Sequence, residues 1–233
     1  MSIKRIEVPD IGTVTLQKKR GNRALRINIA NNGQIKVTMP PWAPYKIALD
    51  FVSSKKDWIK VHKPPTQYLQ HERRVGKAHQ LVFVPSIKST RPSSRLKDNQ
   101  IRITLPAHLD PNSRQSQRTA HKAIERALTE EAAQLLPSRL QKLARQHNFT
   151  YKELRIKRLT SRWGSCDQNA NITLNCYLMQ LPWRLIDYVL LHELTHTKIM
   201  AHGPNFWNEL DKSVSNLPDI RKEMREHRPS LYF

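Results

Sequence analysis

Residues 186–204 read Ile-Asp-Tyr-Val-Leu-Leu-His-Glu-Leu-Thr-His-Thr-Lys-Ile-Met-Ala-His-Gly-Pro. His192 and His196 are four apart, so on a helix their rings share one face, one turn from each other. Tyr188, Val189, Leu190 and Leu191 precede them and make the predicted helix, Trp183 to Ile199, a buried one. Two imidazoles without partners there would be costly. A divalent ion supplies the missing partner, and Glu193 projects beside it, within reach of a water whose pKa the ion lowers. With ten His and ten Glu in 233 residues, chance yields only about 0.02 copies of H-E-x-x-H, and about 0.001 once His202 is added.

A hydrolytic site of this kind takes three protein ligands and keeps its fourth position open. His202 is the candidate third ligand, in an H-E-x-x-H-x5-H pattern. It lies too far along the chain for the same helical face. The helix must therefore end near Met200 and the chain turn back. Gly203-Pro204 marks the break, and a further helix carrying Phe206, Trp207 and Leu210 would pack behind the site. Glu209 and Asp211 are alternative ligands, as carboxylates are in other zinc peptidases. The spacing to His202 also matches the metzincin pattern. That pattern has Gly where this chain has Ile199, so it does not apply.

Upstream lies a second cluster, Arg162-Trp163-Gly164-Ser165-Cys166, with Asn175 a short strand later. Arg-Trp-Gly-Ser-Cys, then Ile-Thr-Leu-Asn, then Ile-Asp-Tyr-Val-Leu-Leu-His-Glu-Leu-Thr-His, then His-Gly-Pro-Asn-Phe-Trp together resemble the YgjP-like metallopeptidases. These are zincins similar to the SprT and WLM peptidases. The resemblance spans 154–210, and the N-terminal strands and the Trp58-Ile59 segment extend it more loosely. It implies a zincin fold, one zinc ion, His192, His196 and His202 as ligands, Glu193 as catalytic base, and protein or peptide substrates. Thr195 stands where small or Cys residues are frequent in the family.

Arg162, Trp163 and Asn175 are candidates for contact with the substrate or transition state. A cation near the metal can stabilise the oxyanion; a surface ion pair is the alternative for Arg162. Trp163 reads first as a core or wall residue, Asn175 alternatively as a loop anchor through side-chain-to-backbone bonds. Gly164 allows close backbone approach. Cys166 reads as a small residue packed against the active-site helix, and ten residues separate it from Cys176. Tyr188 is expected to face the core, and Asp187 to cap or pair. A peptide would dock along an edge strand in the 154–174 region.

The remaining chain predicts an α+β fold. Leu25, Ile27 and Ile29, then Ile35, Val37 and Met39, alternate around Asn31-Asn32-Gly33 and read as a hairpin. A helix follows over Tyr45–Val61, with Ile47, Phe51, Val52, Trp58 and Ile59 on its apolar side. Leu81–Val84 and Ile101–Leu105 read as strands around a basic loop, Ser86–Asp98. From about Asn112 the period becomes helical to Gln146, and Pro137 should kink or restart that helix. Leu154–Ile156 and Ile172–Leu174 read as two more strands. We divide the chain into an N-terminal β-rich basic part, residues 1–112, and a zincin-like domain, residues 113–233.

The net charge is +21, of which +14 falls in the first 112 residues. Such a charge opposes self-association, which predicts a monomer, and favours polyanionic partners. Arg73, Arg74, Lys77, Lys88, Arg91, Arg95, Lys97 and Arg102 form a possible nucleic-acid footprint. The alternative functions are thus a nucleic-acid-associated protein with a structural zinc site, or a peptidase acting on nucleic-acid-bound proteins. No helix-turn-helix, zinc-finger or RNA-stacking motif supports either. Two cysteines exclude a disulfide scaffold. No apolar stretch approaches the span of a bilayer, and MSIKRIEVPDIG has no signal-peptide core. The expectation is a cytoplasmic protein that does not enter the membrane.

Overall fold

The computed structural model describes residues 2–30, 33–62 and 68–231. They form an α+β protein of two compact units that meet in sequence between residues 67 and 68.

The first unit contains a four-stranded sheet. Strands β1 (Ile3–Val8), β2 (Gly12–Lys18), β3 (Arg26–Ile29) and β4 (Ile35–Met39) lie in the order β1-β2-β4-β3. The expected hairpin is present: β3 runs antiparallel to β4, with Ile27 opposite Val37 and Ile29 opposite Ile35. Its Asn31-Asn32 turn lies outside the described residues. Alternation decides the buried face, so Val14, Leu16, Ile35, Val37 and Met39 enter the core. The helix expected over 45–61 is instead two, α1 (Tyr45–Ser54) and α2 (Lys56–His62), broken at Lys55. Ala48, Val52 and Ile59 are buried, whereas Ile47 and Trp58 face solvent. The break at Lys55 changes the helical phase, so one continuous stripe could not describe both pieces.

The second unit is built around α3 (Arg114–Gln146). Ser113 caps its start by accepting a hydrogen bond from the Ser116 N–H. Ala120, Ala123, Ile124, Ala127, Leu128, Leu136 and Leu140 are buried along it. Of the two outcomes expected at Pro137, a restart does not occur: the helix passes through it. An internal proline costs about 3 kcal/mol. Burying Leu136 and Leu140 on either side contributes about 2 kcal/mol each, enough to hold the helix together.

Against α3 lies a sheet of β5 (Arg74–Val75), β6 (His79–Ser86), β7 (Ser93–Lys97) and β8 (Gln100–Pro106), ordered β5-β6-β8-β7. The stretch expected as a basic loop therefore holds a strand, β7, antiparallel to β8. Its polar sequence gave no hydrophobic alternation to read; Leu96 is its one large apolar residue. Leu81, Phe83, Ile101, Ile103 and Leu105 share one apolar core with α3. The packing boundary therefore does not fall at 112. The change in charge and periodicity there marks a change of element inside one unit.

A second, three-stranded sheet follows: β9 (Glu153–Lys157), β10 (Gly164–Cys166) and β11 (Asn171–Asn175), ordered β10-β11-β9. A 3-10 turn, Cys176–Gln180, leads into α4 (Trp183–His196). This helix ends three residues before the expected Ile199. Two further helices close the unit, α5 (Pro204–Asp211) and α6 (Leu217–Met224). Among the described residues, no helix is long and apolar enough to cross a membrane.

Candidate metal centre

Helix α4 buries Leu185, Ile186, Leu190 and Leu194 on its inner side. This fixes its rotation and sets His192 and His196 along one edge. The chain then reverses over residues 197–203, and Pro204 starts α5 at a position where a proline costs no hydrogen bond. The reversal brings His202 back to the pair. Nε2 of His202 lies 3.0 Å from Nε2 of His192. One donor atom from each of His192, His196 and His202 falls within 4.8 Å of the others. Phe206 is fully buried beneath them, with its ring centroid 4.5–4.9 Å from all three imidazoles. The Trp207 indole N–H donates to the His202 carbonyl at 3.1 Å and ties the turn to α5. The expected aromatic backing is thus in place.

The donor set fits a zinc ion. Two nitrogens on one tetrahedral zinc stand about 3.4 Å apart, close to the observed His192–His202 spacing. His196 Nδ1 faces the Ile199 carbonyl at 3.2 Å. A proton on Nδ1 leaves the Nε2 lone pair free to ligate. Burial, then the neighbouring His196 and His202 and the Arg221 charge, push His192 down to about 3. Burial also lowers His196. Both rings are therefore neutral at ordinary pH, the form that binds metal. Glu209 and Asp211 are not in the cluster; Glu209 pairs with Lys198 and Lys212 instead.

Glu193 follows His192 on α4 and is buried, with Oε2 lacking a hydrogen-bond partner. Burial pushes its carboxyl up to about 8, and the nearby Arg162 guanidinium opposes that rise. The side chain rests on the backbone of Gly164 in β10. A Cβ there would stand 2.7–2.9 Å from Oε1, Cγ and Cδ of Glu193, so glycine makes room for the carboxylate.

A cleft of about 410 Å³ opens beside these groups, and Arg162 and Trp163 line it together with His192 and Glu193. Asn175 does not reach it. Its side chain is fully buried, donates to the carbonyls of Leu159 and Arg162 at 2.8 Å each, and accepts from the Tyr177 N–H. It holds the loop that presents Arg162 rather than touching a substrate. Tyr188 packs half-buried against the core, as expected, and also lines the cleft, 5.9 Å ring to ring from His192. Asp187 pairs with Arg139 through two hydrogen bonds, 2.5 and 2.7 Å. Cys166 is half-buried, and desolvation followed by the Glu193 and Asp167 charges pushes its thiol up to about 11.

Arg221, Met224 and Arg225 also line the cleft. They come from α6 and its C-cap and belong to no recognisable motif, so only packing reveals them. The basic row read as a polyanion footprint is divided. Lys77 turns inward, donates to the Leu181 carbonyl and lies over the Trp183 ring; burial lowers its pKa. Arg73 donates to the Leu231 carbonyl. Arg95, Lys97 and Arg102 remain together on β7 and β8.

No curated protein sequence matches the chain. Two solved structures are similar to part of it, both metallopeptidase zymogens. Jannalysin of Methanocaldococcus jannaschii is 26% identical over 37% of this chain and 90% of its own, with a TM-score of 0.34. Abylysin of Pyrococcus abyssi is 22% identical over 37% of this chain and 89% of its own, also at 0.34. Residues 23–227 match the model of the YgjP-like metallopeptidase domain. Since that match spans most of the sequence and contains the whole histidine cluster, the chain belongs to the YgjP-like family of metallopeptidases.

Proposed function

We propose that the chain hydrolyses peptide bonds with one zinc ion held by His192, His196 and His202, and with Glu193 as general base. The observation that carries this reading is the convergence of three imidazoles from α4 and the following turn, with an unpartnered carboxylate oxygen beside them. Among the described residues no fourth His, Cys, Asp or Glu joins the cluster, which leaves a coordination position for water or substrate.

When bound, zinc polarises the scissile carbonyl and lowers the pKa of water. The charge of the bound ion would lower the Glu193 carboxyl again, and the carboxylate would take a proton from the attacking water and pass it to the leaving amine. Gly164 and the α4 backbone hold that carboxylate in place. Arg162 faces the same cleft and stabilises the oxyanion, on a loop that Asn175 anchors. β10 is an edge strand of its sheet, and its Gly164 borders the cleft. A peptide added along that edge would place its bond beside Glu193.

The test is elemental analysis together with cleavage of casein or a peptide library. The expected result is one zinc per chain, cleavage by wild type, and a loss of about 10²- to 10⁴-fold in Glu193→Gln. His202→Ala should lose zinc. Stoichiometric zinc with equal cleavage by wild type and Glu193→Gln would remove Glu193 from its role.

A further inference from the structure

The cleft beside Glu193 carries more positive charge than this hydrolysis uses. Arg162 enters from the loop before β10, Arg221 from α6 and Arg225 from its C-cap. The one carboxylate among the lining residues is Glu193, and it is buried. Four other arginines of this unit, Arg139, Arg155, Arg158 and Arg184, hold an acidic partner. Among the described residues, Arg162, Arg221 and Arg225 hold none. Arg221 places its Cζ over the Trp207 ring, 3.8 Å from the centroid, which restrains the guanidinium at the cleft wall.

Three unpaired guanidiniums around a cleft with aromatic walls make a receptor for an anion attached to an apolar stem. The planar fork of arginine matches a carboxylate in particular. Resting on the peptidase reading, we propose that this cleft selects acidic peptides: Arg221 and Arg225 grip a substrate carboxylate next to the scissile bond. That carboxylate can belong to an Asp or Glu side chain or to the peptide C-terminus.

Three peptides built around one cleaved bond test this. The first has Glu flanking the bond and an amidated C-terminus, the second has Gln there and is also amidated, and the third has Gln and a free C-terminus near the bond. The zinc-loaded wild type should favour a carboxylate-bearing peptide over the second by about tenfold in kcat/KM, since two partly exposed charge contacts are each worth a few-fold. The first against the third identifies the source. In Arg221→Gln/Arg225→Gln the ratio should fall to about one, and in wild type it should shrink as salt rises. Equal rates for all three peptides in wild type, or a preference that survives the double substitution, would overturn the proposal.

A binding arm is independent of turnover. Fluorescence anisotropy of the same labelled peptides on Glu193→Gln should give the same order of affinity, and the Arg221→Gln/Arg225→Gln changes in that background should abolish it. If wild type cuts no peptide, the hydrolytic reading fails. The binding order then still decides for or against the carboxylate subsite.

Discussion

Gly164→Ala tests how tightly Glu193, the proposed general base, is held. The added methyl would meet Glu193 at three atoms, Oε1 at 2.7 Å, Cγ at 2.8 Å and Cδ at 2.9 Å. Ordinary contact begins near 3.4 Å, so the carboxylate arm must retreat by roughly half an ångström or more. Its room is limited, because α4 is packed on Leu190 and Leu194 and Glu193 is itself buried. Overpacking of this kind costs about 1–3 kcal/mol. For a unit of this size that is a fall in Tm of about 2–4 °C for each kcal/mol. A misplacement approaching 1 Å costs about 10²-fold in rate, so kcat/KM should drop by one to two orders of magnitude while zinc content stays stoichiometric. A double-mutant cycle isolates the contact. Glu193→Ala removes the three atoms nearest the new methyl, so Gly164→Ala should be nearly neutral for stability in that background. The coupling energy should be about 1 kcal/mol or more. Peptide cleavage, thermal melting and elemental analysis of the four proteins provide the readout. Wild-type kcat/KM in Gly164→Ala, or equal loss of Tm in both backgrounds, would refute the argument that glycine is there to seat the carboxylate.

Phe206→Ala empties the space beneath the three imidazoles and should cost about 3–5 kcal/mol; a chelator competition should also show weaker zinc binding, and unchanged affinity would show that the ring does not brace the site. Gly76→Ala combines a φ of +64° with a Cβ 2.1 Å from Oε2 of the buried Glu131. That carboxylate accepts the N–H groups of Lys77 and Ala78, so we expect destabilisation beyond about 2 kcal/mol in a denaturant melt. Cys166, with its thiol raised from 9.0 to about 11, should be alkylated by iodoacetamide at pH 8 about 100-fold more slowly than a free peptide thiol, as thiolate is the nucleophile. The rate should climb with pH until about 11; mass spectrometry of the Cys166 peptide at several pH values checks both points, and peptide-like reactivity at pH 8 would show that the thiol is not desolvated.

The histidine cluster was largely legible before any tertiary information. Positions 192 and 196 share a helical face because 3.6 residues make a turn, and Gly203-Pro204 announces the reversal needed for His202. Gly164 was readable as a point of close approach, though not as the seat of Glu193. The hairpin and the strands of Leu81 and Ile101 followed from period-two alternation. Where alternation failed, so did the reading: β7 is polar along its length, and the pieces of the 45–61 segment differ in phase across Lys55. At Pro137 the helix continues because buried leucines on either side oppose a break.

Periodicity and spacing act over one or two turns, so they specify which side chains a single element presents together. They identified the three histidines that could hold a metal, the adjacent carboxylate and the α+β class. They carry no information about which distant element arrives opposite. Arg221 and Arg225 reach the cleft because α6 packs there, Tyr188 lines it because α4 is rotated by its inner leucines, and Asn175 is withdrawn into loop support. The boundary at 67 rather than 112 has the same origin: burial of β6 and β8 against α3 joins residues that differ in charge and local pattern. Packing of apolar surface between elements remote in sequence is a sum over the whole unit, and no short stretch of residues contains it.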